Sequence, residues 1–502
     1  MPVQTDVTPA VVIRDLSFSY PTAQGPLLAG LSFSLLPGFT GIVGANGVGK
    51  TTLLQLLAGQ LTADAGFIDG ACDAVYCEQR TDNAPATFHA FLQDWDSGAF
   101  ELRGRLGIKP DFLARWQTLS HGERKRAQIA HALWQLPSLL VIDEPTNHID
   151  SAARELLLQN LRRFQGIGVI VSHDRELLDA LCYQCVWLDA ADSQVYPGGF
   201  TQANEQWQSA RHTAIAERDK LSQESKRLQR ELVRRRTQAQ SSHNSRSKKG
   251  LSRKDHDAKE KIDRARLTDS KAGSQLRQLG GRAAKVDADY QSMHVSKQYD
   301  TGIWLPGAQS HRNQLFSVAA GELPLGDDRV LTFPALAMAP NDRVAITGCN
   351  GAGKSMLVQH LLGAVNLSAE RIINMPQELS VANASRVLED VRGLAGDALG
   401  KVMNIISRLG SRPQQLLVSR QLSPGEIRKL LLAVGMLRTP HLIVLDEPTN
   451  HLDLPSIQAL ENALADCPCG MLLVSHDNRF LDRLGVTRWA VKIDGQGNSQ
   501  MH

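Results

Sequence analysis

Short apolar runs that end abruptly in acidic residues occur in both halves of the 502-residue chain. Leu139-Leu-Val-Ile142 is followed by Asp143 and Glu144, and Leu442-Ile-Val-Leu445 is followed in the same way by a second acidic pair. Runs of this length and composition are typical of fully buried strands in a parallel sheet. The pattern therefore predicts an α/β fold in both halves.

Between these halves the apolar positions change to a helical period. Residues 203–240 contain no Pro or Gly, and Leu221, Leu228 and Leu232 lie on one helical face among charged and polar residues. The polar, basic segment 241–250 predicts a turn, and residues from about 255 to 290 predict a returning helix, weakened by its glycines. We expect an antiparallel helical hairpin with a basic tip. The alternative is a solvated coiled coil that only joins two domains.

Four motifs recur in the same order at an offset of 303 or 304 residues, which indicates two copies of one domain. The pairs are Gly44-Ala-Asn-Gly-Val-Gly-Lys50-Thr51 with Gly348-Cys-Asn-Gly-Ala-Gly-Lys354-Ser355, Leu119-Ser-His-Gly-Glu123 with Leu422-Ser-Pro-Gly-Glu426, Asp143-Glu-Pro-Thr-Asn-His-Ile-Asp150 with Asp446-Glu-Pro-Thr-Asn-His-Leu-Asp453, and Val171-Ser-His-Asp174 with Val474-Ser-His-Asp477. The predicted domains are residues 1–205 and 310–502, joined by a connector of residues 206–309.

The composition, with 42% hydrophobic and 21% charged residues, excludes fibrous and wholly disordered classes. No apolar run approaches the ~18 to 20 residues of a membrane span, and the first residues lack the pattern of a signal peptide. We therefore expect a cytoplasmic protein that is not by itself a transporter. Seven scattered cysteines argue against a disulfide framework, and Cys182-x-x-Cys185 lacks the second pair that a zinc site of this spacing needs.

The net charge of +3 conceals a strong asymmetry. Residues 211–290 hold 22 Lys and Arg against 11 Asp and Glu, whereas the remaining residues hold 33 basic against 41 acidic side chains. A basic insert on an otherwise acidic protein indicates an anionic partner, most commonly nucleic acid.

The repeated G-x-x-x-x-G-K-[ST] motif is typical of a polyphosphate-binding loop, in which glycines let backbone N–H groups surround the phosphates at a helix N-terminus. A plain glycine-rich turn is the alternative for a single copy, and the duplication argues against it. Lys50 and Lys354 are predicted to reach the β and γ phosphates, while Thr51 and Ser355 supply hydroxyls to Mg²⁺. The predicted loop residues are Gly44, Ala45, Asn46, Gly47, Val48, Gly49, Lys50, Thr51 and Thr52 in one copy, and Gly348, Cys349, Asn350, Gly351, Ala352, Gly353, Lys354, Ser355 and Met356 in the other.

The acidic pairs at the strand ends fit the same chemistry. Asp143 and Asp446 can hold Mg²⁺ through water, and the adjacent Glu144 and Glu447 are placed to polarise an attacking water. A pair of solvated acids is the alternative.

The duplicated His173 and His476 follow a second apolar strand, and we expect them to contact the γ-phosphate. A single histidine after a strand would carry no such expectation.

The Leu-Ser-x-Gly-Glu segments predict helix starts. A Ser followed three residues later by Glu is a capping box, so Ser120 and Ser423 should each begin a helix, with Pro424 at the first helical position. The free N–H groups at such a tip favour an anion, although a simple helix cap would explain each segment on its own.

Taken together, these motifs and their order resemble those of ATP-binding-cassette (ABC) ATPases, and the resemblance covers nearly all of both copies. In that family two cassettes pack head to tail, and each ATP lies between the phosphate loop of one and the Leu-Ser-x-Gly-Glu tip of the other. The resemblance implies ATPase activity with ATP and Mg²⁺. One implied site combines Lys50, Thr51, Gln79, Asp143, Glu144 and His173 with Ser423 and Gly425, and the other combines Lys354, Ser355, Gln377, Asp446, Glu447 and His476 with Ser120 and Gly122. Gln79 and Gln377 would also contact Mg²⁺, and Tyr20 looks like the residue that stacks on adenine.

Within this superfamily, the fused pair of cassettes and the charged helical connector resemble the ABC-F proteins. The resemblance implies a monomer that binds the ribosome, with the connector directed toward rRNA and tRNA near the exit and peptidyl sites. General translation, relief of stalled ribosomes and protection from an antibiotic all remain open. The alternatives are the ATPase subunit of a membrane transporter and a DNA-associated ATPase.

Departures from the family pattern predict two unequal sites. The second copy has no aromatic residue where Tyr20 stands in the first, and Met356 replaces the usual Thr after the Lys-Ser pair. His121 and Pro424 also replace the first of two glycines that are usual in the tip.

Overall fold

The computed structural model describes residues 10–21, 25–70, 73–147, 149–189, 192–245, 256–293, 307–326, 329–377, 381–411, 416, 422–450, 452–494 and 497–501. The chain divides into two compact units. One unit contains Met1–Ala203 together with Gln298–His502, and the other contains Asn204–Lys297. The first unit holds both copies of the repeat, which we call the first and the second cassette.

The first cassette is a mixed α/β structure. Its strands are β1 (Val11–Phe18), β2 (Leu28–Leu35), β3 (Gly38–Val43), β4 (Ala65–Asp69), β5 (Ala74–Cys77), β6 (Leu139–Asp143), β7 (Ile167–Val171), β8 (Cys182–Asp189) and β9 (Asp192–Pro197). Its helices are α1 (Lys50–Leu57), α2 (Phe88–Gln93), α3 (Ser97–Leu106), α4 (His121–Trp134), α5 (Ser151–Leu161) and α6 (Arg175–Leu181), with a 3-10 turn at Trp116–Thr118.

The strand order of its larger sheet, β5-β6-β7-β3-β8-β9, positions the chemistry. Strands β5, β6, β7, β3 and β8 run parallel, so their carboxyl ends meet at one edge. The loop after β3, the acidic residues at the end of β6 and the histidine after β7 are therefore neighbours. A separate antiparallel sheet, β2-β1-β4, contributes residues to the same hydrophobic core as β3 and α1.

The second cassette repeats this arrangement with one larger sheet of order β11-β12-β19-β18-β14-β17-β16-β15. Its strands are β10 (Phe316–Val318), β11 (Gly321–Gly326), β12 (Arg329–Phe333), β13 (Leu336–Met338), β14 (Arg343–Thr347), β15 (Ile372–Met375), β16 (Leu442–Asp446), β17 (Gly470–Val474), β18 (Thr487–Ile493) and β19 (Ser499–Met501). Its helices are α9 (Lys354–Gly363), α10 (Val381–Gly393), α11 (Gly396–Arg408), α12 (Pro424–Met436), α13 (Leu454–Ala465) and α14 (Asn478–Leu484), with a 3-10 turn at Ala369–Arg371. Strands β15, β16, β17, β14 and β18 are parallel, as in the first cassette.

Two long helices, α7 (Phe200–Ser245) and α8 (His256–Ser292), form the insert between the cassettes. Leu228 of α7 and Ala283 of α8 are buried, and the Ser225 hydroxyl donates a hydrogen bond to Asp287 Oδ1 at 3.0 Å. The guanidinium of Arg218 lies 5.5 Å from the Tyr290 ring centre. An early position on α7 thus meets a late position on α8, as the predicted antiparallel pairing requires.

The predicted turn at 241–250 is wrong at its start, because α7 remains helical through Ser245. No Pro or Gly interrupts residues 203–245, so the helical hydrogen bonds continue into the polar segment. Residues 246–255, the rest of that predicted tip, lie outside the described residues. Across the part of the chain that the structure describes, no helix has both the length and the apolar character that crossing a membrane requires.

Candidate nucleotide sites

A glycine-rich loop connects a central strand to a helix in each cassette, from β3 to α1 and from β14 to α9. Gly49 and Gly353, the residues that precede these helices, have φ angles of 102° and 87°. A Cβ at Gly49 would lie 2.8 Å from Leu28 Cδ2, and one at Gly353 would lie 2.5 Å from Leu325 Cδ2. Both the backbone conformation and the close packing therefore require glycine at the helix start, where N–H groups are free to bind an anion.

The loop lysines are buried and point back along their own loops. Lys50 Nζ donates hydrogen bonds to the carbonyl oxygens of Gly44 and Ala45 at 2.8 and 3.0 Å. Lys354 Nζ makes the same bonds to Gly348 and Cys349 at 2.8 and 3.0 Å. Burial lowers the pKa of both ammonium groups, and the nearby carboxylates oppose that effect. Each lysine is thus fixed across the loop as a desolvated cation, the state in which it attracts phosphate most strongly.

Each site pairs the hydroxyl that ends its loop with the carboxylate at a strand end. Thr51 Oγ1 donates to Asp143 Oδ2 at 2.8 Å, and Ser355 Oγ donates to Asp446 Oδ2 at 2.6 Å. Among the described residues, Asp446 Oδ1 is buried without a hydrogen-bond partner. Hydroxyl and carboxylate oxygens are the protein ligands that Mg²⁺ prefers, so both donor sets fit this cation.

The glutamates that follow these aspartates have strained backbones. Glu144 and Glu447 have φ angles of 44° and 49°, in the left-handed region that side chains other than Gly rarely occupy. The residue with this backbone conformation is, in both cassettes, the one whose carboxylate lies beside the histidine. Strain of this kind is typical of functional sites.

The carboxylate and the imidazole meet at both sites. His173 Nε2 lies 3.1 Å from Glu144 Oε1, and His476 Nε2 lies 3.5 Å from Glu447 Oε1. Burial raises the pKa of both glutamates to about 8, with the neighbouring aspartate adding to the shift. Burial, and then the charge of Lys354, lower the pKa of His476 to about 4. Each glutamate can therefore exchange a proton near neutral pH, and His476 is a neutral hydrogen-bonding group.

Two clefts contain most of the predicted residues. The cleft at the first loop, about 230 Å³, is lined by Leu27, Asn46, Gly47, Gly49, Lys50, Thr51, Thr52, Gln79, Asp143, Glu144, Val171 and His173. The cleft at the second loop, about 460 Å³, is lined by Leu325, Arg329, Asn350, Gly351, Gly353, Lys354, Ser355, Met356, Gln377, Asp446, Glu447, Thr449, Asn450, Ile457, Val474, His476 and Asp477 of its own cassette. It is also lined by Thr146, Ile149, Ser151, Arg154, His173 and Asp174 of the first cassette. The second site is therefore built from both cassettes.

The helix tips lie elsewhere. Ser120 and Ser423 each form the predicted capping box with the Glu three residues later, and Pro424 begins its helix. Of the described residues that line either cleft, none is Ser120, Gly122, Ser423 or Gly425. The local helix starts are confirmed, whereas the contact of each tip with nucleotide stays a prediction.

Tyr20 stands beside the first loop, where its hydroxyl lies 3.1 Å from Thr52 Oγ1 and its ring packs edge-on against Phe18. The ring is partly exposed, with a relative accessibility of 39%. An exposed ring face at this position is available for stacking, and that role also stays a prediction.

Aspartates that were not predicted as site residues connect the two cassettes. Asp453 Oδ2 accepts a hydrogen bond from the backbone N–H of Asn46 at 2.7 Å, and Asp150 Oδ2 accepts one from the N–H of Asn350 at 3.4 Å. Each aspartate also caps a helix of its own cassette, α13 and α5 respectively. The loop of each cassette is therefore contacted by a carboxylate from the other.

Buried cations on the tip helices are a second unpredicted feature. Lys125 Nζ donates to the carbonyl oxygens of Glu78 and Asp143, at 2.5 and 3.2 Å. Arg428, at the equivalent position of the second cassette, donates to the carbonyl oxygens of Gln377 and Glu447. Each cation ties a tip helix to the segment that carries the cleft glutamine and to the acidic strand end. The only sequence signal was a basic residue two positions after each Leu-Ser-x-Gly-Glu segment.

Comparisons with known proteins agree with this architecture. Residues 28–147 and 334–450 each match the family described as ABC transporter. The chain is 29% identical to the ATP-binding protein Uup of Caulobacter vibrioides, over 97% of this chain and 78% of that protein. It is 26% identical to the ribosome protection protein VmlR of Bacillus subtilis, over 91% of this chain and 82% of that protein. It is also 26% identical to the erythromycin resistance ATP-binding protein MsrA of Staphylococcus epidermidis, over 91% of this chain and 92% of that protein.

The fold is also found among solved structures. The archaeal ribosome recycling factor aABCE1, solved with the ribosomal stalk protein aP1, superposes with a TM-score of 0.62 at 17% identity, over 97% of this chain and 89% of that chain. This similarity concerns the fold, two cassettes in one chain. Together, the matched domains and the sequence relatives show that the chain carries two ABC transporter domains and is similar to ABC-F proteins.

Proposed function

We propose that this protein is an ATP-hydrolysing factor that binds the ribosome with ATP in both clefts and leaves after hydrolysis. The observation that carries the proposal is the exchange of aspartates between the cassettes: Asp453 contacts the loop at Asn46, and Asp150 contacts the loop at Asn350. Because each loop uses a group from the other cassette, the occupancy of the clefts and the docking of the cassettes are thermodynamically linked.

The residues at each cleft would divide the chemistry among them. Lys50 and Lys354 would hold the phosphates, and Mg²⁺, held by the hydroxyl and carboxylate pairs, would supply neutralising charge there. Glu144 and Glu447 would orient and polarise the attacking water, and His173 and His476 would contact the terminal phosphate. The tips at Ser120, Gly122, Ser423 and Gly425 would complete the opposite sites when the cassettes close.

Ribosome binding is supported by the charge of the insert and by the relatives. Residues 211–290 of the insert hold the 22 Lys and Arg counted above, and basic side chains bind RNA through its phosphates largely without reading sequence. VmlR is a ribosome protection protein, and it aligns with most of this chain. We therefore place rRNA and tRNA as partners of the insert.

The test uses a Glu144→Gln, Glu447→Gln double variant, which should bind ATP and hydrolyse it slowly. At about 0.15 M salt, the physiological ionic strength, we expect it to sediment with ribosomes in ATP and not in ADP. The wild-type chain, which completes its cycle, should sediment less under the same conditions. Equal sedimentation in both nucleotides, or none in either, would contradict a nucleotide-gated ribosome factor.

Competition separates the remaining alternatives. Duplex DNA should not displace the ATP-bound double variant from ribosomes, because non-specific phosphate binding weakens steeply with salt. Displacement by DNA would favour a DNA-associated ATPase. Co-purification with an integral membrane protein in place of ribosomes would favour a transporter subunit.

A further inference from the structure

Among the described residues, a largely buried ion cluster joins the cassettes where α6 meets α13. Arg175, the first residue of α6, belongs to the first cassette, and its side chain is 8% exposed. Its guanidinium contacts both carboxylate oxygens of Glu461 in α13, at 2.5 and 3.2 Å. The same Nη2 lies 3.2 Å from Asp477 Oδ2. One arginine of the first cassette thus bridges two acidic residues of the second.

The second of those acids adjoins the chemistry of the second site. Asp477 directly follows His476, whose Nε2 lies 3.3 Å from Lys354 Nζ and 3.1 Å from Asn350 Oδ1. Asp477 also accepts a hydrogen bond from the N–H of Phe480 at 3.0 Å, which caps α14. The carboxylate that Arg175 holds therefore caps the start of α14 and belongs to the residue next to the histidine.

The first site holds its histidine differently. His173 is followed by Asp174, and Asp174 Oδ2 lies 3.4 Å from Nη1 of Arg154 in the same cassette. At the repeat offset of 303, the counterpart of Arg175 is Asn478 and the counterpart of Arg154 is Ile457. The counterpart of Glu461 is Leu158, whose side chain cannot accept a hydrogen bond. The side chains at the repeat-related positions therefore cannot form the same bridge.

We propose that Arg175 is a positioning residue that acts from the other cassette: it fixes the segment carrying His476, and through it the second site, whereas Asp174, next to His173, is held by Arg154 of its own cassette. The inference rests on the proposed function, in which both sites hydrolyse ATP. Losing the guanidinium would leave two carboxylates facing each other with no cation between them. Asp477 would then turn toward solvent and carry the histidine with it.

The test follows each site separately. Glu144→Gln leaves the second site as the source of turnover, and Glu447→Gln leaves the first. Adding Arg175→Gln should lower kcat of the second site by about ten- to a hundredfold, the loss typical of a displaced catalytic group, with a much smaller change in KM. The first site should keep its kcat. Arg175→Lys, which preserves the charge, should recover part of the loss.

Arg479→Gln is the matched control. Arg479 Nη2 lies 2.6 Å from Asp179 Oδ2, so this pair also crosses between the cassettes, and its arginine is 37% exposed. It should leave both sites unchanged. If Arg175 only held the cassettes together, its loss would slow both sites equally, because each loop is contacted by an aspartate of the other cassette. That result would overturn the inference.

A second measurement is independent of hydrolysis. Hydrogen–deuterium exchange of the nucleotide-free protein should rise at residues 475–478 in Arg175→Gln and stay at the wild-type level in Arg479→Gln. Unchanged exchange in Arg175→Gln would overturn the positioning role. Absent turnover in the Glu144→Gln parent would overturn hydrolysis at the second site, which belongs to the proposed function, and the exchange measurement would still decide the role of Arg175.

Discussion

Lys125 and Arg428 are buried cations that contact the backbone around each cleft. Lys125 is fully buried, and burial lowers the pKa of its ammonium group to about 8, with Cys77 and the acidic strand end opposing the shift. Two of its hydrogen bonds are made to backbone carbonyl groups, and a third is made to Gln128 Oε1 at 3.0 Å. A cation is retained here because those carbonyls would otherwise be buried without donors.

Lys125→Met tests that explanation. The substitution keeps the length of the side chain and removes its donors, so the carbonyls of Glu78 and Asp143 lose their partner. We expect the first cassette to lose about 1–3 kcal/mol of stability, measured by urea unfolding. Lys125→Arg is the control, since Arg428 performs the equivalent task. A loss in Lys125→Arg as large as that in Lys125→Met would contradict the explanation.

The same residues mark the limit of prediction from sequence at this scale. The loops, the acidic pairs and the histidines are predictable because they belong to short motifs with a defined spacing, and these motifs recur in the second half of the chain. Asp453 and Arg175 are not, because their partners lie 407 and 286 residues away and meet them only when two cassettes dock. The role of Lys125 is not predictable for another reason, because the backbone carbonyl groups that it contacts leave no signature in the pattern of side chains.

Helix α4 combines a predictable start with an unpredictable last turn. Its capping box follows from a Ser and a Glu three residues apart. Its last turn carries His131, whose ring lies 5.7 Å from that of Trp134 and 6.1 Å from that of Phe88, with Nε2 2.8 Å from Thr87 Oγ1. Burial lowers the pKa of this imidazole. The helix therefore includes a titratable group that folding keeps neutral.

The pH dependence of stability should reveal that group. Below about pH 6.5 the unfolded chain binds a proton on His131 that the folded chain resists, so the contribution is complete above this pH and declines as the pH falls. His131→Gln should flatten the change in urea midpoint between about pH 5.5 and 7.5. His212→Gln, at an exposed position of α7, is the control. Identical pH profiles for wild type and His131→Gln would contradict the assignment.

The strands and helices differ in how well the sequence pattern predicts their bounds. The strands that precede the acidic pairs were predicted to within one residue, because a buried strand ends where charge begins. Helix α8 runs through Gly273, Gly280 and Gly281, where propensity alone predicts weakness. Its packing against α7, through positions such as Ala283, offsets that cost, and tertiary contacts of this kind are invisible in a local window.

At the scale of the molecule, the positive charge is concentrated on one unit. Arg227, Arg230 and Arg234 are exposed on α7, which belongs to the unit outside the cassettes. Replacing all three by Gln should weaken ATP-dependent ribosome binding. The slope of log affinity against log salt concentration should decrease by about two to three units, because fewer counterions are released. Hydrolysis without ribosomes should not change.

A matched set of substitutions on the second cassette provides the comparison. Arg386, Lys401 and Lys492 are also exposed, and changing them to Gln removes the same charge from a different surface. If both triple variants lose the same affinity and the same salt dependence, net charge explains the binding and the insert has no special part in it.

The left-handed backbone at Glu144 and Glu447 has a consequence for how such chains diverge. A Glu codon becomes a Gly codon by one base change, and Gly adopts these φ angles without strain. One mutation would thus remove the acid of a cassette and relax its main chain together. Under the proposed function, a lineage would lose hydrolysis at one of its two sites in a single step, and relief of the backbone strain would offset part of the cost in stability.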